Sequence, residues 1–174
     1  MRKLRLLPLL LILVLAFPMV YAKAPMNRER NRKAAQQLYL YEKDPTDWTI
    51  IEDGAWGKMK YKADKFVFNG HHLEPESEYA LIYYPDPWPG EGIMVLGWGT
   101  PDDEGDIHIK GRFDFSQIPS AEDANPGAKI WLVLADDLAE LVDYPEEGTF
   151  YYMVGWNPTE YLFENELINT TPSE

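Results

Sequence analysis

Beyond residue 45 the chain is punctuated: short apolar runs are cut by Gly, Pro, Asn and Asp at intervals of roughly ten residues. Punctuation that dense leaves no room for long helices and reads as antiparallel β structure. Residues 56–62 (WGKMKYK) alternate lysines with Met59 and Tyr61, giving a half-buried strand with a wet lysine face. Residues 66–68 (FVF) form a second strand, and Asn69-Gly70 after them predicts a turn. Residues 79–84 (YALIYY) are apolar or aromatic on both faces, as a central strand requires, and stop at PDPWPG (85–90), where prolines end any ladder. Residues 93–98 and 106–113 read as a hairpin through the loop 100–105, with Ile107 and Ile109 facing in and His108 and Lys110 facing out. A polar connection follows over 116–129, then a buried strand at 130–134. Asp136 or Asp137 would cap a short helical turn through Leu138, Leu141 and Val142. Strands at 150–154 and 161–163, joined by Gly155-Trp156-Asn157-Pro158, bring the total to about eight. The fold expected is all-β, an antiparallel two-sheet sandwich of immunoglobulin-like type, with a closed barrel as the alternative.

The N-terminus is different in kind. Arg2, Lys3 and Arg5 precede an apolar run over 6–20 that ends in Val20-Tyr21-Ala22, the pattern of a secretory signal peptide over residues 1–22 cut after Ala22. A cut after Ala24 would set Pro25 against an extended peptidase groove, where its locked φ and missing N–H fit badly. An uncleaved anchor is the competing reading, because the run falls only slightly short of a spanning helix. Both readings put the domain on the secreted or extracellular side of the cell envelope. Residues 23–44 then form a basic arm or short helix, 45–170 the β-sandwich domain and 171–174 a tail. The 152 residues after the leader are enough for one core, and with no cysteine in the chain that core holds without disulfides.

Charge is distributed unevenly. The whole chain carries −13, but removing the eight bases and one acid of residues 1–33 from 16 and 29 leaves 8 and 28, a net −20 for residues 34–174. A body so acidic repels nucleic acid and anionic lipid, so no nucleic-acid partner is expected. Membrane contact is expected only through an uncleaved leader. Partners are expected to be a protein or a glycan at the cell surface.

Three segments, LIYYPDPWPG (81–90), PGAKIWLVL (126–134) and VGWNPTEYLFE (154–164), resemble the core of a family of uncharacterised secreted β-sandwich proteins of methanogenic archaea. The resemblance spans roughly residues 48–168. It implies export and a β-sandwich and transfers no functional residue. At Trp98 and over 136–150 the chain departs from the family's usual pattern.

Candidate sites are few. Trp88, between two prolines, and Trp98 and Trp156, near strand ends, offer flat aromatic surfaces for a sugar face or a partner protein, and Trp48 lies in a similar position. Asp102, Asp103 and Asp106 around Gly105 supply the hard oxygen donors that Ca²⁺ takes, without EF-hand spacing; the other reading is a solvated hairpin tip. Asn169-Thr170-Thr171 is a glycosylation sequon, whereas Asn157-Pro158-Thr159 is blocked by its proline. His71, His72 and His108 lack the convergent spacing of a zinc site, and no serine sits in a nucleophile elbow. The expectation is an exported, non-enzymatic interaction or envelope-associated module; a secreted carbohydrate-binding or carbohydrate-acting protein is the alternative.

Overall fold

A computed structural model describes residues 35–120, 123–141 and 149–168, all within the compact unit Lys33–Glu174. The expected leader, most of the expected basic arm and Asn169 lie outside the described residues. The chain is all-β and antiparallel, in a sandwich- or barrel-like fold. Among the described residues ten strands run in order: β1 (Gln36–Tyr41), β2 (Trp56–Lys62), β3 (Lys65–His71), β4 (Tyr79–Tyr84), β5 (Met94–Gly99), β6 (Ile107–Arg112), β7 (Lys129–Leu134), β8 (Leu138–Leu141), β9 (Phe150–Met153) and β10 (Leu162–Glu164). Eight form one sheet in the order β5-β4-β7-β10-β1-β2-β3-β6, and β8 and β9 form a separate two-stranded sheet.

Alternation places the core. Leu38 and Leu40 of β1, Met59 of β2, Phe66 and Phe68 of β3, Leu81 and Tyr83 of β4, Ile107 and Ile109 of β6 and Ile130 and Leu132 of β7 are buried together. Because strands from both ends of the sheet share this cluster, the sheet curls around its own interior. Its outer face over β4 and β7 is covered in turn: Ala80, Ile82 and Val133 pack with Met153 of β9 and Phe163 of β10. That second layer explains why all six residues of β4 are buried, as its unbroken apolar run requires.

Several local expectations are corrected. Residues 36–41 form a strand between β10 and β2 rather than an arm or helix, so the domain begins before residue 45. Leu38 and Leu40, two apart, face the core together, a strand period in a segment too short to show helical repeat. Residues 138–141 continue as β8 after a single 3₁₀ turn at Ala135–Asp137, because they pair with β9 from Leu138↔Met153 to Leu141↔Phe150. Asn69-Gly70 sits inside β3; a Cβ on Gly70 would lie 2.8 Å from Ile107 Cγ2, so this glycine serves close packing rather than a turn. The hairpin expected between 93–98 and 106–113 does not form. β5 pairs with β4 and β6 with β3, and the two are the ends of the eight-stranded sheet. They still meet, through side chains: Ile109 Cγ2 would lie 2.6 Å from a Cβ on Gly97, and the Ile107 side chain covers Gly99. Glycines on β5 let β6 lie across it and close the curl.

Candidate functional site

Three loops and two strand ends converge on the outer face where β7 and β10 end. The first loop, after β1, is built by its acids. Asp44 Oδ1 accepts from the Thr46 backbone N–H (2.8 Å) and hydroxyl (2.6 Å), and Asp47 Oδ1 does the same for Thr49 (3.0 and 2.7 Å). The Trp48 N–H closes the turn on the Asp44 carbonyl at 2.7 Å, leaving Trp48 at φ 62° with its ring projecting. The second loop carries Trp88. Gly90, at φ +75°, donates its N–H to the Pro87 carbonyl (2.8 Å), and a Cβ there would meet Tyr84 Cε2 at 2.5 Å, so the position requires glycine. The Pro89 carbonyl accepts from Met153 N–H at 2.8 Å, which ties this loop to β9.

The third loop presents Trp156 and is held by a buried carboxylate. Asp137 accepts the Tyr161 hydroxyl and the Asn157 amide (2.8 Å to Oδ2), while its carbonyl accepts Val154 N–H at 2.8 Å. Burial, followed by the hydrogen bond to Asp137, raises the Tyr161 phenol well above its ordinary range.

The rings join into one cluster. Trp88 and Trp156 meet edge to face at 5.6 Å, Trp48 meets Phe163 edge to face at 5.1 Å, and Trp131 lies 5.2 Å from Phe163 and 6.1 Å from Trp156. Tyr84 stacks on Trp131 at 4.0 Å with 12° between planes. Trp131 is 8% exposed and forms the floor, whereas Trp48, Trp88 and Trp156 keep 48%, 52% and 40% of their surface in solvent. Between them lies a cleft of about 410 Å³, within the range of small-molecule sites.

Polar groups line the same cleft. Asp86 Oδ2 accepts from Lys129 Nζ (2.5 Å) and Asn125 Nδ2 (2.7 Å), and Asn125 also donates to Asp123, which accepts the Tyr83 hydroxyl at 2.7 Å. Burial pushes the Asp86 carboxyl up, but the hydrogen bonds from Lys129 and Asn125 and the Lys129 charge outweigh it and hold it below its usual value. Lys43 Nζ donates to the Glu164 carbonyl at 2.8 Å. Glu164 is the opposite case to Asp86. Its Oε2 is buried without a hydrogen-bond partner, and burial lifts the carboxyl to about 7 against the pull of its own backbone N–H, the Lys43 and Lys129 charges and the Trp131 indole.

Of the sequence candidates, the fold brings Trp88 and Trp156 together, and Trp48 with them. Trp98 is elsewhere, on β5, edge to face with Tyr151 at 5.8 Å. Asp102, Asp103 and Asp106 form no ligand set. Asp102 Oδ1 is used by the Glu104 and Asp106 N–H groups (3.2 and 2.9 Å), and Asp106 Oδ1 by His71 Nδ1 at 2.8 Å. Among the described residues no group of three metal-ligating side chains gathers. Trp131, Phe163, Tyr84, Lys43, Asp86, Lys129 and Glu164 were not singled out in the sequence. The strand residues among them read as core, and only the pairing of β7 with β10 sets Trp131 opposite Phe163. No known protein family, curated protein or solved structure matches the chain.

Proposed function

We propose that this chain is an exported, non-enzymatic binding module whose tryptophan-lined cleft takes a neutral carbohydrate. The observation that carries the reading is the joining of Trp48, Trp88 and Trp156, from three separate loops, around one polar-edged cleft. Soluble proteins seldom leave large apolar rings clustered in water unless something covers them. A sugar ring suits the lining: its C–H face packs on indole, and its hydroxyls exchange hydrogen bonds with ammonium and carboxyl groups such as those of Lys43, Lys129 and Asp86. The leader at residues 1–22 agrees with a ligand met outside the cell, and membership of the secreted methanogen proteins that the chain resembles belongs to the same proposal. Calorimetric titration with a panel of neutral oligosaccharides tests it. At least one binds, Trp88→Ala and Trp156→Ala each weaken binding by about tenfold or more, and Trp98→Ala leaves it unchanged. A panel in which nothing binds, or in which Trp98→Ala weakens binding as much as Trp88→Ala, contradicts the proposal.

A second reading, carbohydrate cleavage, is favoured by one observation. The cleft holds one carboxyl pushed up to about 7 and another held low, the division of labour of a general acid and its partner. It ranks second because Asp86 is occupied by Lys129 and Asn125. Release of reducing ends that Glu164→Gln abolishes would put it first.

A further inference from the structure

The second half of the charge pattern points to a second site. Residues 34–174 hold eight basic side chains against 28 acidic ones, and the fold sorts those eight into two places. Lys43 and Lys129 line the cleft. The other six, Lys58, Lys60, Lys62, Lys65, Lys110 and Arg112, stand on β2, β3 and β6, three adjacent strands. Alternation turns all six outward, since the residues between them, Met59, Phe66, Phe68, Ile107 and Ile109, are buried.

Register aligns them in rows. Lys60 is opposite Val67, which is opposite Lys110; Lys62 is opposite Lys65, which is opposite Arg112; Lys58 shares a row with Asn69 and His108. Like charges directly opposed weaken a sheet, yet Lys62 and Lys65 are so placed. Relief is local: Asp64 pairs with Arg112 at 2.5 Å. No ion pair is formed by Lys58, Lys60, Lys62, Lys65 or Lys110 among the described residues. Strands about 4.8 Å apart and a two-residue rise of about 6.8 Å keep the backbone positions of these cations close together on one face.

We infer that the outer face of β2, β3 and β6 binds a linear anionic polysaccharide, a sulfated or uronate polymer, independently of the tryptophan cleft. The aromatic neighbours decide between polyanions. Single-stranded nucleic acid wants free rings for its bases, but the rings beside this face are already engaged. Tyr39 stacks with Tyr41 at 6.2 Å and has Lys58 Nζ 5.0 Å above it, and Trp56 lies against His71 at 4.7 Å. What the face offers is charge.

The test uses the full chain, immobilised heparin and alginate, a single-stranded oligonucleotide, and salt gradients. The wild type binds both polysaccharides with an affinity that falls steeply with salt, as counterion release requires. Lys60→Glu with Lys110→Glu lowers that affinity at low salt by about tenfold or more; the milder Lys60→Gln with Lys110→Gln, which needs no charge reversal to fold, lowers it less but measurably. Both variants keep the bases of residues 23–33, so any binding by that segment is subtracted. Trp88→Ala leaves polysaccharide retention unchanged, which separates this site from the cleft. Failure of the wild type to bind either polysaccharide, retention unmoved by both double variants, or tighter binding of the oligonucleotide than of either polysaccharide overturns the inference.

Discussion

At the scale of single residues, two acids carry the account. Glu164 keeps its proton in the folded chain up to about pH 7, whereas an ordinary Glu loses it near 4.5. Stability linked to that proton is therefore fully present below about pH 4.5 and is lost as pH rises through about 7, because the folded state binds more protons than the unfolded one over that window. The loss amounts to roughly 3 kcal/mol. Glu164→Gln, which keeps the shape without the charge, should raise stability at pH 8 by about that amount and flatten the slope between pH 4.5 and 7 in denaturant titrations. An unchanged slope would show that this carboxyl titrates normally. Asp137 acts by position. A Cβ on Gly155 would lie 1.8 Å from its Oδ1, so Gly155→Ala must break the contact that holds the Trp156 loop. It should cost about 1–3 kcal/mol in thermal or chemical unfolding and blue-shift or quench tryptophan emission differently from the wild type. A variant with unaltered stability and emission would remove Asp137 from the account.

At the scale of elements, pairing decides what side-chain pattern leaves open. Gly97 and Gly99 let β6 lie across β5, so Gly97→Val places branched carbons where Ile109 packs. Unfolding should come at lower denaturant, by about 2 kcal/mol or more, whereas Gly92→Val, at a position with nothing within 4 Å though at φ +96°, should disturb that seam not at all. Proton exchange at the amides of β5 and β6 separates the two. The same glycines explain where sequence reading stopped short. Alternation made Ile107 and Ile109 inward and Lys110 outward, and the burial agrees. The partner of each strand is a long-range fact: β6 closes on β3, and β5 on β4, with most of the sheet between them. The YALIYY run was legible as central because residues buried on both faces leave no polar alternation. β1 and β8 were not, since QQLYLY and LAEL carry as much helical as strand preference and take their form from β2 and β9. The site was half legible for the same reason. Tryptophans beside Pro and Gly announced exposed rings, but Trp131, inside an apolar strand, gave no sign that it floors a cleft.

At the scale of the whole molecule, the fold divides its surface by chemistry. Rings and a pair of oppositely tuned carboxyls gather over β7 and β10, and six of the eight bases of residues 34–174 over β2, β3 and β6. Cleft and cationic face should differ in their sensitivity to salt. Raising NaCl from 50 mM to 500 mM should leave oligosaccharide affinity within about twofold while abolishing polyanion retention. Parallel loss of both would merge the two sites into one electrostatic surface. The most direct measurement is a crystal structure with an oligosaccharide that the titrations select. A pyranose ring lying within about 4 Å of the Trp88 or Trp156 indole, with hydroxyls toward Lys43, Asp86 or Lys129, is the predicted result; a sugar bound at Trp98 or elsewhere, with the cleft untouched, would contradict it.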